Sequence, residues 1–124
     1  MKNEKHGILK SFGFAIRGWR ILFSSERNAR IHLAVLALVV FSGILLHISA
    51  VEWVIIALVS GAVLAVEAIN TAIEEMMNLL HPERSEKAGR IKDLSAGAVF
   101  FVSLAAMICG LIIFVPRIIA LFHS

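Results

Sequence analysis

Long apolar runs dominate the chain. Between Ile31 and Val51 there is no Asp, Glu, Lys or Arg, and there is none between Leu94 and Val115. Each run is long enough to cross a hydrocarbon core of about 30 Å as a helix. A third run is free of charge from Trp53 to Val66. It is short for a span, but nothing breaks a helix before Pro82, so the pattern predicts one long helix over about 53–80 with acidic residues in its last half. Ahead of these runs, Ile8, Phe12, Ala15, Ile16, Trp19, Leu22 and Phe23 recur at three- and four-residue steps. Lys10, Arg17, Arg20 and Ser24 fall on the other side. That periodicity predicts an amphipathic helix lying on the membrane surface over about 8–24. The expected fold is an all-α membrane protein: a surface helix, then spans at about 31–51, 53–80 and 94–115. Residues 1–124 form a single membrane domain with no room for a second.

Composition agrees, with 59% hydrophobic residues, more than a soluble domain usually carries. No apolar run with a small-residue cleavage site precedes Arg30, so the first span is expected to be retained. The charge places the chain in the bilayer. Lys2, Lys5, Lys10, Arg17, Arg20, Arg27 and Arg30 precede the first span, and Arg84, Lys87, Arg90 and Lys92 lie between the second and third. The turn between the first two spans has no basic residue of this kind, and Arg117 alone follows the third. The positive-inside rule therefore puts the N-terminus and the 81–93 loop in the cytoplasm. The basic residues flank spans, so the net charge of +3 implies no nucleic-acid partner. The one cysteine, Cys109, reads as a structural thiol inside the third span and excludes an intrachain disulfide.

Candidate chemistry lies in the second span. Glu67, Asn70 and Glu74 are spaced i, i+3, i+7 and share one helix stripe. Glu67 lies roughly 21 Å along the helix from Trp53, and so about 10 Å short of the inner edge of the hydrocarbon. Glu74 then reaches the headgroups. An intramembrane carboxylate costs at least a few kcal/mol unless it is protonated, paired or hydrated, which marks it as functional. The plainer alternative is a protonated packing residue, and Asn70 alone could be interhelical glue. Glu75, around the helix from the stripe, reads as a solvated helix end. Glu26, in the corner before the first span, and Lys92 and Asp93 arrive at the same level, with Asp93 placed to cap the third span. Carboxylate and amide oxygens suit a hard cation such as Mg²⁺, which brings phosphate oxygens with it. No GxxxxGK[ST] loop, HRDxxxxN or DFG is present, so neither soluble kinase template fits.

Three blocks resemble a known family. Glu67-Ala-Ile-Asn70-Thr-Ala-Ile-Glu74 resembles the signature of the small prokaryotic diacylglycerol kinases, which include the undecaprenol kinases. Arg90-Ile-Lys92-Asp93 with Leu-Ser-Ala-Gly-Ala-Val after it, and Glu26-Arg-Asn-Ala-Arg30, resemble two further family segments, in family order. The resemblance implies a homotrimeric inner-membrane enzyme that moves the γ-phosphate of ATP, with Mg²⁺, onto the hydroxyl of a membrane lipid. It implies that Glu67 is the catalytic base and that Glu26 and Glu74 hold the metal and touch ATP. Asn70, Glu83, Arg84, Ser85, Lys92 and Asp93 are implied as further ATP contacts. Trp19 and Arg30, with Glu67, are implied on the lipid side. Phe14 stands at an ATP position where some members have Tyr, so a hydroxyl contact is absent. Gly7 stands where some have Arg, leaving Lys5 or Lys10 as substitutes. Glu26-Arg-Asn-Ala-Arg-Ile-His32-Leu and His81-Pro82-Glu83 lean toward the undecaprenol branch, with diacylglycerol the other acceptor.

Two other functions compete. An ion- or proton-conducting oligomer would use Glu67 and Glu74 as a pathway, yet between Trp53 and Val66 the only polar side chain is Ser60. A membrane scaffold without chemistry leaves Glu67 unexplained. Gly61 with Ala65, and Ala106 with Gly110, offer small faces for close helix contact.

Overall fold

The computed structural model describes the backbone of residues 4–123 and the side chains of residues 7–123. Lys2 and Lys5 therefore lie outside the described side chains, including Lys5 as a substitute for a family Arg. Four helices follow one another: α1 (Glu4–Ser25), α2 (Arg27–Leu45), α3 (Ala50–Leu80) and α4 (Glu86–His123). No strand occurs among the described residues. The last three helices are long and apolar enough to cross a membrane. The chain is thus a multi-pass membrane protein preceded by an amphipathic helix.

The corner between α1 and α2 is a single residue wide. Glu26 is extended (φ −111°, ψ 112°), and its side chain makes no capping hydrogen bond. The α1 end is instead closed by Arg30, whose Nη1 donates to the carbonyls of Phe23 (2.9 Å) and Ser24 (3.1 Å). A cation on the last carbonyls satisfies groups that the helix leaves orphaned. Leu22 is buried at this corner. The rest of the apolar face of α1, from Ile8 to Trp19, is exposed.

The apolar run 31–51 is not one helix. α2 ends at Leu45, and the chain reverses over residues 46–49. His47 takes a left-handed conformation (φ 52°), its N–H donates to Ile44 O (3.4 Å), and Ile48 N–H donates to Gly43 O (3.2 Å). This is a Schellman closure with His where Gly is usual. Gly43 lies beneath the Trp53 ring: a Cβ there would stand 2.7 Å from Trp53 Cη2 and 3.0 Å from Ile48 Cδ1. Ser49 and Glu52 form a reciprocal capping box that starts α3. Glu52 also takes both arms of Arg117 from α4, at 2.6 and 2.7 Å. A core of Ile48, Ile56 and Ile113, flanked by Leu36, Val39, Trp53 and Phe114, fills this end of the bundle.

At the other end, the third span begins earlier than the sequence suggested. Ser85 Oγ accepts from Ala88 N–H (3.1 Å), and α4 starts at Glu86. Ser85 is therefore the cap, and Asp93 lies two turns inside the helix. A charged, short-loop segment hid this start, because its helical periodicity is polar rather than apolar. α4 also runs through Pro116 to His123. α3 and α4 form the most extensive helix pair. At 31 and 38 residues they are about 46 and 57 Å long, so both project beyond a 30 Å core. The small faces at Gly61 and Gly110 have no atom within 4 Å of a built Cβ. Neither makes the close helix contact expected of it within this chain.

Candidate functional site

Glu67 is 1% exposed and has the largest fully buried side chain among the described residues. Its burial follows from its stripe. Val63, Glu67 and Thr71 are the buried positions on this part of α3, spaced i, i+4, i+8. Thr71 is held by its own helix, donating from Oγ1 to Glu67 O (3.0 Å). From α2, His32 brings Nε2 to 3.3 Å of Glu67 Oε1. The approach lacks the alignment of a hydrogen bond, so Oε1 is buried without a hydrogen-bond donor among the described residues.

One turn further on, a polar chain crosses from α4 to α3. Ser95 Oγ donates to Asn70 Oδ1, and Asn70 Nδ2 donates to Glu74 Oε1 (3.4 Å). A carboxylate only accepts, so the amide nitrogen faces Glu74, and the amide oxygen is left to accept from the serine hydroxyl. Two turns beyond Asn70, Lys92 Nζ donates to Asn78 Oδ1 (2.6 Å). Polar groups thus line one α3 stripe through 67, 70, 74 and 78, from the buried carboxylate to the projecting helix end.

The profile of the prokaryotic diacylglycerol kinase family matches residues 13–114. The chain belongs to this family. It is 37% identical over 117 residues to the undecaprenol kinase of Bacillus subtilis (strain 168), covering 94% of this chain and 95% of the relative. It is 34% identical over 115 residues to a diacylglycerol kinase of Synechocystis, covering 92% of this chain and 66% of that protein. It is 29% identical over 101 residues to the diacylglycerol kinase of Escherichia coli K12, covering 82% of this chain and 83% of the relative.

Within the chain, Glu67, Asn70 and Glu74 come together with His32 and Ser95, and Glu26 sits at the adjoining corner. The other residues singled out from the family likeness are dispersed. Asp93 is exposed in a shallow hollow with Arg90, Leu94, Gly97 and Phe101, not on the face that carries Lys92 and Ser95. Glu83 and Arg84 are exposed in the loop, and Ser85 has its hydroxyl on the α4 cap. Arg30 has one guanidinium nitrogen on the α1 carbonyls. Phe14 and Trp19 are 65% and 61% exposed on α1.

His32, Thr71, Asn78 and Ser95 carry contacts that reading the sequence did not assign to the site. Asn78 was visible as Glu74 plus four. Ser95 and His32 come from other helices, so no spacing within the second span could point to them.

No cluster of three or more metal-ligating side chains occurs among the described residues. One or two carboxylates with an amide oxygen nearby fit a divalent cation that takes its remaining ligands from water and phosphate. Glu74, hydrogen-bonded to the Asn70 amide, and the uncapped Glu26 are of that type.

Proposed function

The chain is a lipid kinase of this family, and we propose that it moves the γ-phosphate of ATP onto the hydroxyl of undecaprenol. The observation that carries this reading is the buried Glu67 carboxylate beside a polar stripe that ends at the projecting helix pair. The stripe rises from Glu67 to headgroup depth, where a lipid hydroxyl and a water-soluble nucleotide can meet. The undecaprenol assignment draws on the Bacillus subtilis relative, similar over nearly the whole of both chains.

In this reading Glu67 accepts the proton of the lipid alcohol. The alcohol oxygen forms its bond to the γ-phosphorus, and the bond from that phosphorus to the β–γ bridging oxygen breaks, releasing ADP. A base placed in this way contributes about 10²–10⁴-fold. Glu74 and Glu26 would hold the divalent cation, Mg²⁺ in this reading, which would neutralise phosphate charge. Asn70 orients Glu74. Lys92 and the loop residues Glu83 and Arg84 receive the nucleotide, and Asp93 does so from its own face of α4. The nucleotide side is the cytoplasm, by the distribution of Lys and Arg. The assembly is a trimer in the inner membrane, in which the residues dispersed in one chain meet those of another.

A conducting oligomer has nothing to recommend it. Outward of Glu67, the cleft between α2, α3 and α4 is lined by Val35, Val39, Ile56 and Val63, with Ser60 and Ser103 as its polar groups beyond His32. The test of the kinase reading is acceptor labelling. Purified protein in mixed micelles receives Mg²⁺, labelled ATP and equal amounts of undecaprenol and diacylglycerol. Label should appear chiefly on undecaprenol. Label on diacylglycerol alone would overturn the acceptor, and label on neither would overturn the kinase reading.

A further inference from the structure

The Glu67 carboxylate is approached from a second helix by the imidazole of His32. His32 stands on α2, more than one turn beyond the Glu26 corner, and its side chain is 30% exposed against 2% for that of Glu67. The imidazole lies between two environments. On one side is the buried oxygen Oε1, 3.3 Å from Nε2 and otherwise without a hydrogen-bond donor among the described residues. On the other is the apolar cleft between α2, α3 and α4, whose lining includes His32, Val35, Ser60, Val63 and Ser103. A buried carboxylate oxygen with no donor is costly, and a single polar hydrogen directed at it recovers much of that cost.

We propose that His32 is a positioning residue: its Nε2–H, directed at Glu67 Oε1, holds the carboxylate so that its other oxygen faces the lipid hydroxyl. This rests on the kinase reading of the same site. The geometry suits the task. A free carboxylate turns about its last bond and offers either oxygen. A donor fixed on a second helix removes that freedom, and pre-set orientation is where such a base gains its rate. Nε2 already stands 3.3 Å from Oε1, and catalytic contacts that are long or poorly aligned without substrate often tighten when substrate binds. His32 neither accepts the lipid proton nor touches the phosphate in this scheme, and the reaction balances as written above without it.

Two variants and one spectrum test the proposal. His32→Leu keeps the volume and removes the donor. His32→Gln keeps an N–H at similar reach. With undecaprenol as acceptor, His32→Leu should lower kcat at saturating ATP by about 10- to 100-fold, the range that a displaced partner group costs. The KM for ATP should stay within about threefold of wild type, less than a lost charged contact to nucleotide would cost. His32→Gln should restore most of the rate. Wild-type kcat in His32→Leu, an equal loss in both variants, or a loss confined to the KM for ATP would each overturn the proposal.

Imidazole ¹⁵N shifts in the intact protein give a readout that needs no turnover. The His32 Nε2 resonance should move in Glu67→Gln and not in Glu75→Gln, and an unmoved resonance would also overturn the proposal. If the wild-type protein labels no lipid, the kinase reading fails by itself. The spectrum then still reports whether His32 and Glu67 are coupled.

Discussion

At the scale of single residues, the site divides into a buried carboxylate and a shallower one held by an amide. The spacing of Glu67, Asn70 and Glu74 was legible because all three lie on one helix, and depth along that helix distinguished them. What faces them was not legible. The Ser95 hydroxyl on Asn70 and the His32 ring at Glu67 depend on the packing of α4 and α2 against α3, which no pattern within α3 encodes. The Ser95–Asn70–Glu74 chain yields a prediction. Ser95→Ala removes the donor that sets the Asn70 amide, so Glu74 loses its oriented partner. Mg²⁺-dependent nucleotide binding should weaken about 3- to 10-fold, the value of one net hydrogen bond. Glu74→Gln should weaken it further, with partial recovery at high Mg²⁺. Titration of a fluorescent ATP analogue at several Mg²⁺ concentrations checks both, and affinity unchanged in Glu74→Gln would remove that residue from the metal site.

At the scale of helices, hydrophobic runs located the spans and Pro82 placed the end of α3, but the other ends were misplaced. Runs measure where lipid contact is needed. Ends are set by caps, and caps are local. Ser49 with Glu52 starts α3, Ser85 caps an α4 that begins at Glu86, eight residues ahead of the apolar run at Leu94, and the His47 turn stops α2 inside an apolar run. The close approach of Trp53 to Gly43 was likewise invisible, since it depends on how tightly the α2–α3 turn closes. Gly43→Ala puts a methyl where the ring edge lies 2.7 Å away. The rigid indole must shift, and overpacking of this kind costs about 1–3 kcal/mol. Thermal unfolding in detergent should show a lowered midpoint, while turnover of the folded protein stays at wild type, because Trp53 lies some 21 Å along α3 from Glu67. An unchanged or raised midpoint would mean that the turn has room to open.

At the scale of the molecule, one chain places half of its chemistry together and scatters the rest. Glu67, Asn70, Glu74, His32 and Ser95 converge, while Asp93, Glu83 and the apolar face of α1 remain exposed. Family resemblance names these residues from the sequence and implies a trimer, and the structure adds which of them stay exposed within one chain. We infer that copies of the chain complete one another's sites, with Glu26 of one acting on helix α3 of the next. Mixing inactive Glu26→Gln and Glu67→Gln chains should then restore part of the activity. Verified mixed oligomers without activity would place the site within one chain.

The central claim is that the buried carboxylate of α3 performs the transfer and does not merely hold the nucleotide. It is tested most directly by comparing Glu67→Gln with wild type in single-turnover transfer of label from ATP to undecaprenol, with nucleotide affinity measured on the same samples. The account predicts near-normal nucleotide affinity and a transfer rate lowered by roughly 10²-fold or more, the scale of a lost general base. Transfer at the wild-type rate, or a loss explained wholly by weaker nucleotide binding, would contradict it.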